Sequence, residues 1–152
     1  MNKYVEKIIS GGQTGVDRAA LDFALERNIQ CGGWCPKGRL AEDGRIDSKY
    51  PLAETKTSLY AERTRLNVKD GDGTLIIFSD EMGNGTIFTA EYARQIKKPL
   101  LIIKTGDHDL KTTIWQWIEK HKIKVLNIAG PRESISPGIY LKTLEILKKV
   151  FS

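Results

Sequence analysis

The chain has 152 residues, 40% of them hydrophobic and 28% charged, with a formal net charge of +5; this is ordinary for a soluble globular protein and long enough for one domain, 1–152, with its own core. No apolar run approaches the length of a membrane span, and the opening Met1-Asn2-Lys3-Tyr4-Val5-Glu6-Lys7 lacks the apolar region of a signal peptide. The cysteines, Cys31 and Cys35, make no disulfide framework, so a cytoplasmic location is expected.

Strand and helix patterns alternate along the whole chain. Residues 7–10, with Tyr4-Val5 upstream, read as a first strand. Residues 15–27 read as a helix, because Val16, Ala19, Ala20, Phe23 and Ala24 share one face at 3.6-residue spacing. Thr14, three residues before Asp17, is a variant of the capping box. A short strand is expected over 29–34, then a long polar loop over 35–55 containing Pro36, Gly38, Gly44 and Pro51. A helix over 58–68 ends at Asp70-Gly71-Asp72-Gly73, and 74–78 is a buried strand. A helix over 85–97 is stopped by Pro99, a strand follows over 100–103, and a helix over 113–120 turns Ile114, Trp117 and Ile118 inward. A strand over 124–128 and a final helix opened by Ser136-Pro137 complete the series.

This alternation predicts an α/β fold: a Rossmann-like, doubly wound, mostly parallel sheet with helices on both faces. Ligands bind such a sheet beyond the carboxyl ends of its strands, and several segments predicted there are rich in glycine and small polar residues. The first is Ser10-Gly11-Gly12-Gln13-Thr14-Gly15, where the glycines let backbone approach a ligand and the helix start favours an anion. It lacks the Gly-Lys-Ser/Thr of a Walker loop and the spacing of a dinucleotide fingerprint. Asp17 in the first turn would repel such an anion. It either balances the helix dipole or accepts hydrogen bonds from a pterin or purine edge. The second segment, Gly83-Asn84-Gly85-Thr86, follows a strand and starts another helix, so the two loops are expected to share one phosphate. The third, Asn127 to Ser134, brings Gly130, Arg132 and Glu133. Arg132 forks onto an anion or pairs with Glu133, and Glu133 offers an acceptor. Lys37 and Arg39 on the long loop are placed to reach oxyanions. The excess of Lys and Arg in 97–152, 11 against 5 acids, is scattered and carries no nucleic-acid motif.

The chain resembles the molybdenum carrier proteins, also described as molybdenum-cofactor carriers. The resemblance rests on Ser10-Gly11-Gly12-Gln13-Thr14-Gly15-Val16-Asp17-Arg18, Gly32-Gly33-Trp34-Cys35-Pro36-Lys37-Gly38-Arg39, Tyr50-Pro51-Leu52, Arg63-Thr64 and Asn127-Ile128-Ala129-Gly130-Pro131-Arg132-Glu133-Ser134. It implies a Rossmann-like fold akin to the lysine-decarboxylase-like nucleotide-binding superfamily. It also implies binding of the molybdenum cofactor, a phosphorylated molybdopterin, without chemistry, and a homo-oligomer, dimer or tetramer. On that reading the cofactor-binding residues are Gly11, Gly12, Gln13, Thr14, Gly15, Asp17, Lys37, Arg39, Gly83, Asn84, Gly85, Thr86, Asn127, Gly130, Arg132 and Glu133. The partner is a phosphorylated small molecule, with no nucleic acid and no membrane. The alternative is an N-glycosidic hydrolase of nucleoside monophosphates. Related hydrolases carry Pro-Gly-Gly-x-Gly-Thr-x-x-Glu, but here the acid after Thr86 comes at Glu91, on another part of the helix. Cys35 is a packing residue or a contact to molybdenum, no zinc set is present, and an exposed Trp115 would suit a subunit interface.

Overall fold

The computed structural model describes residues 5–152; Tyr4, placed in the first strand above, lies outside them. The elements run β1 (Lys7–Ile9), α1 (Val16–Glu26), β2 (Gln30–Gly32), β3 (Trp34–Cys35), β4 (Leu40–Ala41), β5 (Gly44–Arg45), β6 (Ala53–Glu54), α2 (Tyr60–Asp70), β7 (Gly73–Phe78), α3 (Gly83–Gln95), β8 (Leu100–Lys104), α4 (Leu110–His121), β9 (Val125–Ala129) and α5 (Ile139–Val150).

Five strands form one parallel sheet in the order β2-β1-β9-β7-β8. Ile8, Leu75, Ile76, Ile77, Leu126 and Ile128 are buried in it, as both-faced coverage of a parallel sheet requires. Helices α1, α5 and α4 pack side by side as one layer, and α2 packs on α3 as the other. The fold is therefore the Rossmann-like, doubly wound α/β sandwich expected. The last strand to appear in the chain nevertheless lies at the centre of the sheet, between β1 and β7. If the β9–α5 unit stood first, the five strands would be ordered 3-2-1-4-5, as in dinucleotide-binding domains. The loops after β1 and β7 are thus separated by β9 and do not sit on adjacent strands.

Three local readings change. The segment 35–55 is a structured cover: β3 pairs with β6, and β4 and β5 make a small hairpin. Thr14 does not cap α1, whose N-cap is Gly15 with no side-chain bond. Trp115 is half-buried rather than exposed. Its indole N–H donates to the Val150 carbonyl at 2.6 Å, and its ring meets Phe151 edge-on at 5.5 Å, pinning the end of α5. No helix among the described residues is long and apolar enough to cross a membrane.

Candidate functional site

A cavity of about 460 Å³ opens at the carboxyl ends of β1, β9 and β7, where the connections to left and right diverge. Its volume is that of a small-molecule site. Of the residues expected from the sequence, it brings together Gly11, Gln13, Asp17, Asn84, Gly85, Thr86, Asn127, Gly130 and Arg132. It leaves out Gly12, Thr14, Gly15, Lys37, Arg39, Gly83 and Glu133, each for a physical reason.

The loop between β1 and α1 is filled by its own side chains. The Gly12 N–H donates to Ser10 Oγ at 3.4 Å, the Gln13 N–H to Asp17 Oδ2 at 3.4 Å, and the Thr14 N–H to Gln13 Oε1 at 3.0 Å. The Val16 N–H goes to the Pro131 carbonyl at 3.4 Å. The phosphate cradle expected here is thus occupied by the protein. Gly12 and Gly15 serve packing. Both have positive φ; a Cβ on Gly12 would lie 2.6 Å from Leu52, and one on Gly15 would lie 2.4 Å from the Pro131 carbonyl oxygen.

Asp17 is the anion of that loop. It is 6% exposed yet lines the cavity. Burial pushes its carboxyl up to about 6, against the pull of Arg63, the Gln13 and Gly11 amides and Arg18. Arg63, on α2, lies 3.9 Å from Asp17 Oδ2, donates to the Gly11 carbonyl at 3.2 Å and stacks over the Tyr60 ring at 5.1 Å. Gly11 makes room for it: a Cβ there would come within 2.4 Å of the Arg63 chain. Arg63 was not among the expected site residues. Tyr60, Arg63 and Asn67 recur at helical spacing, so α2 turns one stripe toward the sheet end, and that periodicity is the signal that marks them.

The loop after β9 supplies the opposite wall. Asn127 is buried and donates to Thr74 Oγ1 at 3.1 Å. Arg132 pairs with Glu42 of the β4–β5 turn at 3.5 Å, not with Glu133, and keeps 41% of its side chain exposed. Glu42 also accepts from the Thr14 hydroxyl and from the Ser134 hydroxyl at 2.5 Å, clasping the loops after β1 and β9 together. Burial would raise its carboxyl, but these bonds and Arg132 hold it below the usual carboxylate range. Glu133 faces away: its carboxylate accepts the Gly138 and Tyr140 N–H groups at 2.6 and 3.1 Å and so caps α5.

The start of α3 is the open one. Its N-cap, Met82, makes no side-chain bond, and the amides of Gly83, Asn84 and Gly85 have no intrahelical acceptor. Asn84, Gly85 and Thr86 line the cavity, and a Cβ on Gly85 would meet nothing within 4 Å. Gly83 packs on Ile135 instead, where a Cβ would lie 2.7 Å away. Three residues after Thr86, where the hydrolase motif holds its acid, stands Thr89, which donates to the Gly85 carbonyl at 3.0 Å; Glu91 is exposed and outside the cavity.

Lys37 is exposed and does not line the cavity. Arg39 is 8% exposed and donates to the carbonyls of Ile46, Leu52, Asp47 and Tyr50, so it pins the 46–52 segment and reaches no oxyanion. Cys35 is fully buried and burial pushes its thiol up, which makes it a packing residue. Among the described residues lining the cavity, the charged groups are thus Arg63, Arg132 and the single acid Asp17, a balance that favours an anionic guest.

Residues 8–151 match the model of the circularly permutated YpsA SLOG family, and the chain belongs to that family. The rearranged strand order described above is the structural counterpart of that permutation. The chain is similar to a protein from Syntrophus aciditrophicus SB named "Putative molybdenum carrier protein", whose crystal structure superposes with a TM-score of 0.95. The two are 49% identical over 98% of this chain and 96% of that one. No curated protein matches the chain.

Proposed function

We propose that this protein binds and carries the molybdenum cofactor, a phosphorylated molybdopterin, without transforming it. The observation that carries the reading is the cavity of about 460 Å³ with unfilled α3 amides on one wall and Arg63 and Arg132 on the others. The α3 amides and the helix dipole suit the terminal phosphate. Arg132, tethered on one side by Glu42, offers its guanidinium fork to an oxyanion. The name of the Syntrophus protein supports the choice of cargo. Binding is favoured over glycosidic hydrolysis because Thr89 occupies the acid's position and Glu91 faces solvent.

The test is titration of the full chain with a 6-alkylpterin monophosphate, alongside metal and mass analysis of whatever small molecule copurifies. Arg63→Ala and Arg132→Ala should each lower affinity by roughly tenfold or more, the worth of a hydrogen bond to a charged group. Lys37→Ala should change it by less than about twofold, since an exposed charge outside the site is screened. Wild-type affinity in both arginine variants would end the proposal.

A further inference from the structure

Resting on the carrier reading, we propose that Asp17 and Gln13 form a recognition edge for a 2-amino-4-oxopyrimidine ring, the ring shared by pterins and guanine. The two residues line the cavity side by side, joined by the bond from the Gln13 N–H to Asp17 Oδ2 at 3.4 Å. Asp17 is the acid among the described lining residues, and an ionised carboxylate accepts through two oxygens and about four lone pairs. The orientation of the Gln13 amide follows from its partners. Oε1 accepts the N–H groups of Thr14 at 3.0 Å and Glu42 at 2.9 Å. Both are donors, so the oxygen faces them, and the NH₂ is the end left without a protein acceptor among the described residues.

The wall therefore presents two acceptor oxygens next to one donor. A 2-amino-4-oxopyrimidine edge presents the matching series: a 2-amino N–H, a ring N–H and a carbonyl oxygen. Adenine presents a ring acceptor beside its amine and sets a lone pair against the carboxylate. Hypoxanthine keeps the ring N–H and the carbonyl but lacks the 2-amino group. Glu133, the other candidate acceptor, is spent on the start of α5, which leaves Asp17 to do the reading. Tyr60, under the Arg63 guanidinium, lends a flat face at the cavity rim. A buried site built for hydrogen bonding rejects the analogue that leaves its groups unpaired, so the discrimination is large enough to measure.

The experiment is calorimetric titration of the full chain at pH 7.5 with guanosine, inosine and adenosine monophosphates and a 6-alkylpterin monophosphate. Guanosine monophosphate and the pterin phosphate should bind at least about tenfold more tightly than adenosine monophosphate, with inosine monophosphate between. In Asp17→Asn the guanosine-to-adenosine ratio should fall to within about twofold of one. Gln13→Glu keeps an acceptor for the Thr14 and Glu42 amides but replaces the donor, and it should lower the same ratio. The ratio is read within each variant, so a general loss of affinity cancels. A pterin preference over guanosine supports the edge and names a pterin source; the reverse supports it and names a nucleotide. Equal affinity for guanosine and adenosine monophosphates in the wild type, equal affinity for guanosine and inosine monophosphates, or an unchanged ratio in Asp17→Asn overturns the inference while the phosphate-carrier reading stands. Failure of all four compounds to bind overturns both.

Discussion

Two glycine-bearing helix starts face the same cavity and have opposite chemistry. At the start of α1, the N–H groups of Gly12, Gln13, Thr14 and Val16 end on Ser10, Asp17, Gln13 and Pro131. At the start of α3, the amides of Gly83, Asn84 and Gly85 meet no capping side chain. The string Ser10-Gly11-Gly12-Gln13-Thr14-Gly15 has the look of an anion cradle, yet its glycines serve to press the chain against Arg63, Leu52 and Pro131. The less conspicuous Gly83-Asn84-Gly85-Thr86 keeps its donors for a guest. A glycine that permits packing and a glycine that permits ligand approach look alike in a sequence. They differ in what a methyl group would touch.

That difference sets the order of the mutational effects. The largest is expected for Gly15→Ala, whose methyl would sit 2.4 Å from the Pro131 carbonyl oxygen at a φ of +80°. Strain plus overpacking should cost about 3 kcal/mol or more in urea unfolding; a loss below about 1 kcal/mol would show that the loops after β1 and β9 are not welded there. The next concerns Asp17. Burial pushes its folded carboxyl up to about 6, above the ordinary carboxylate range, so the native state binds more protons in that interval and stability falls as pH rises through it. Asp17→Asn, fixed in the neutral form, should exceed the wild type by about 2–3 kcal/mol above pH 6, with the gap closing toward pH 4. A gap that is constant across that range would mean that the loop does not hold a costly charge. The smallest effect on stability is expected at Gly85→Ala. The methyl meets no atom within 4 Å, so helix propensity should add about 0.5–1 kcal/mol. Gly85 lines the cavity, so the same methyl should weaken pterin phosphate binding. A variant that is more stable and binds as well as the wild type would show that the α3 amides are not approached closely.

Much of the architecture is written locally. The apolar stripe Val16, Ala19, Ala20, Phe23 and Ala24 is buried in α1 as its spacing requires, and the runs around Leu75 and Leu126 lie inside the sheet. Strand order is not local. It depends on pairings between residues far apart in the chain, such as Ile8 with Leu126 and Thr74 with Asn127, which no window of periodicity contains. The two-residue strands of 34–54 are too short to show a period. Arg39 turns inward because four carbonyls of residues 46–52 converge on it, a cage that exists only once that segment is folded. Which acid becomes a cap and which a site residue is decided the same way. Glu133 is near enough to the start of α5 to be used up there, while Asp17 is held against the crevice by the turn that precedes it.

The central position of β9 has a consequence for how the molecule is made. A ribosome delivers β1 and β2 first and β7 and β8 later, but these pairs share no hydrogen-bonded edge until the strand between them emerges. Until β9 joins them the two strand pairs are not parts of one sheet, and the wall carrying Gly130 and Arg132 is the last of the cavity's walls to be made. A chain cut short before Val125 would possess most of the cavity's residues, bridged by the Arg63 bond to the Gly11 carbonyl but without the central strand between the two halves.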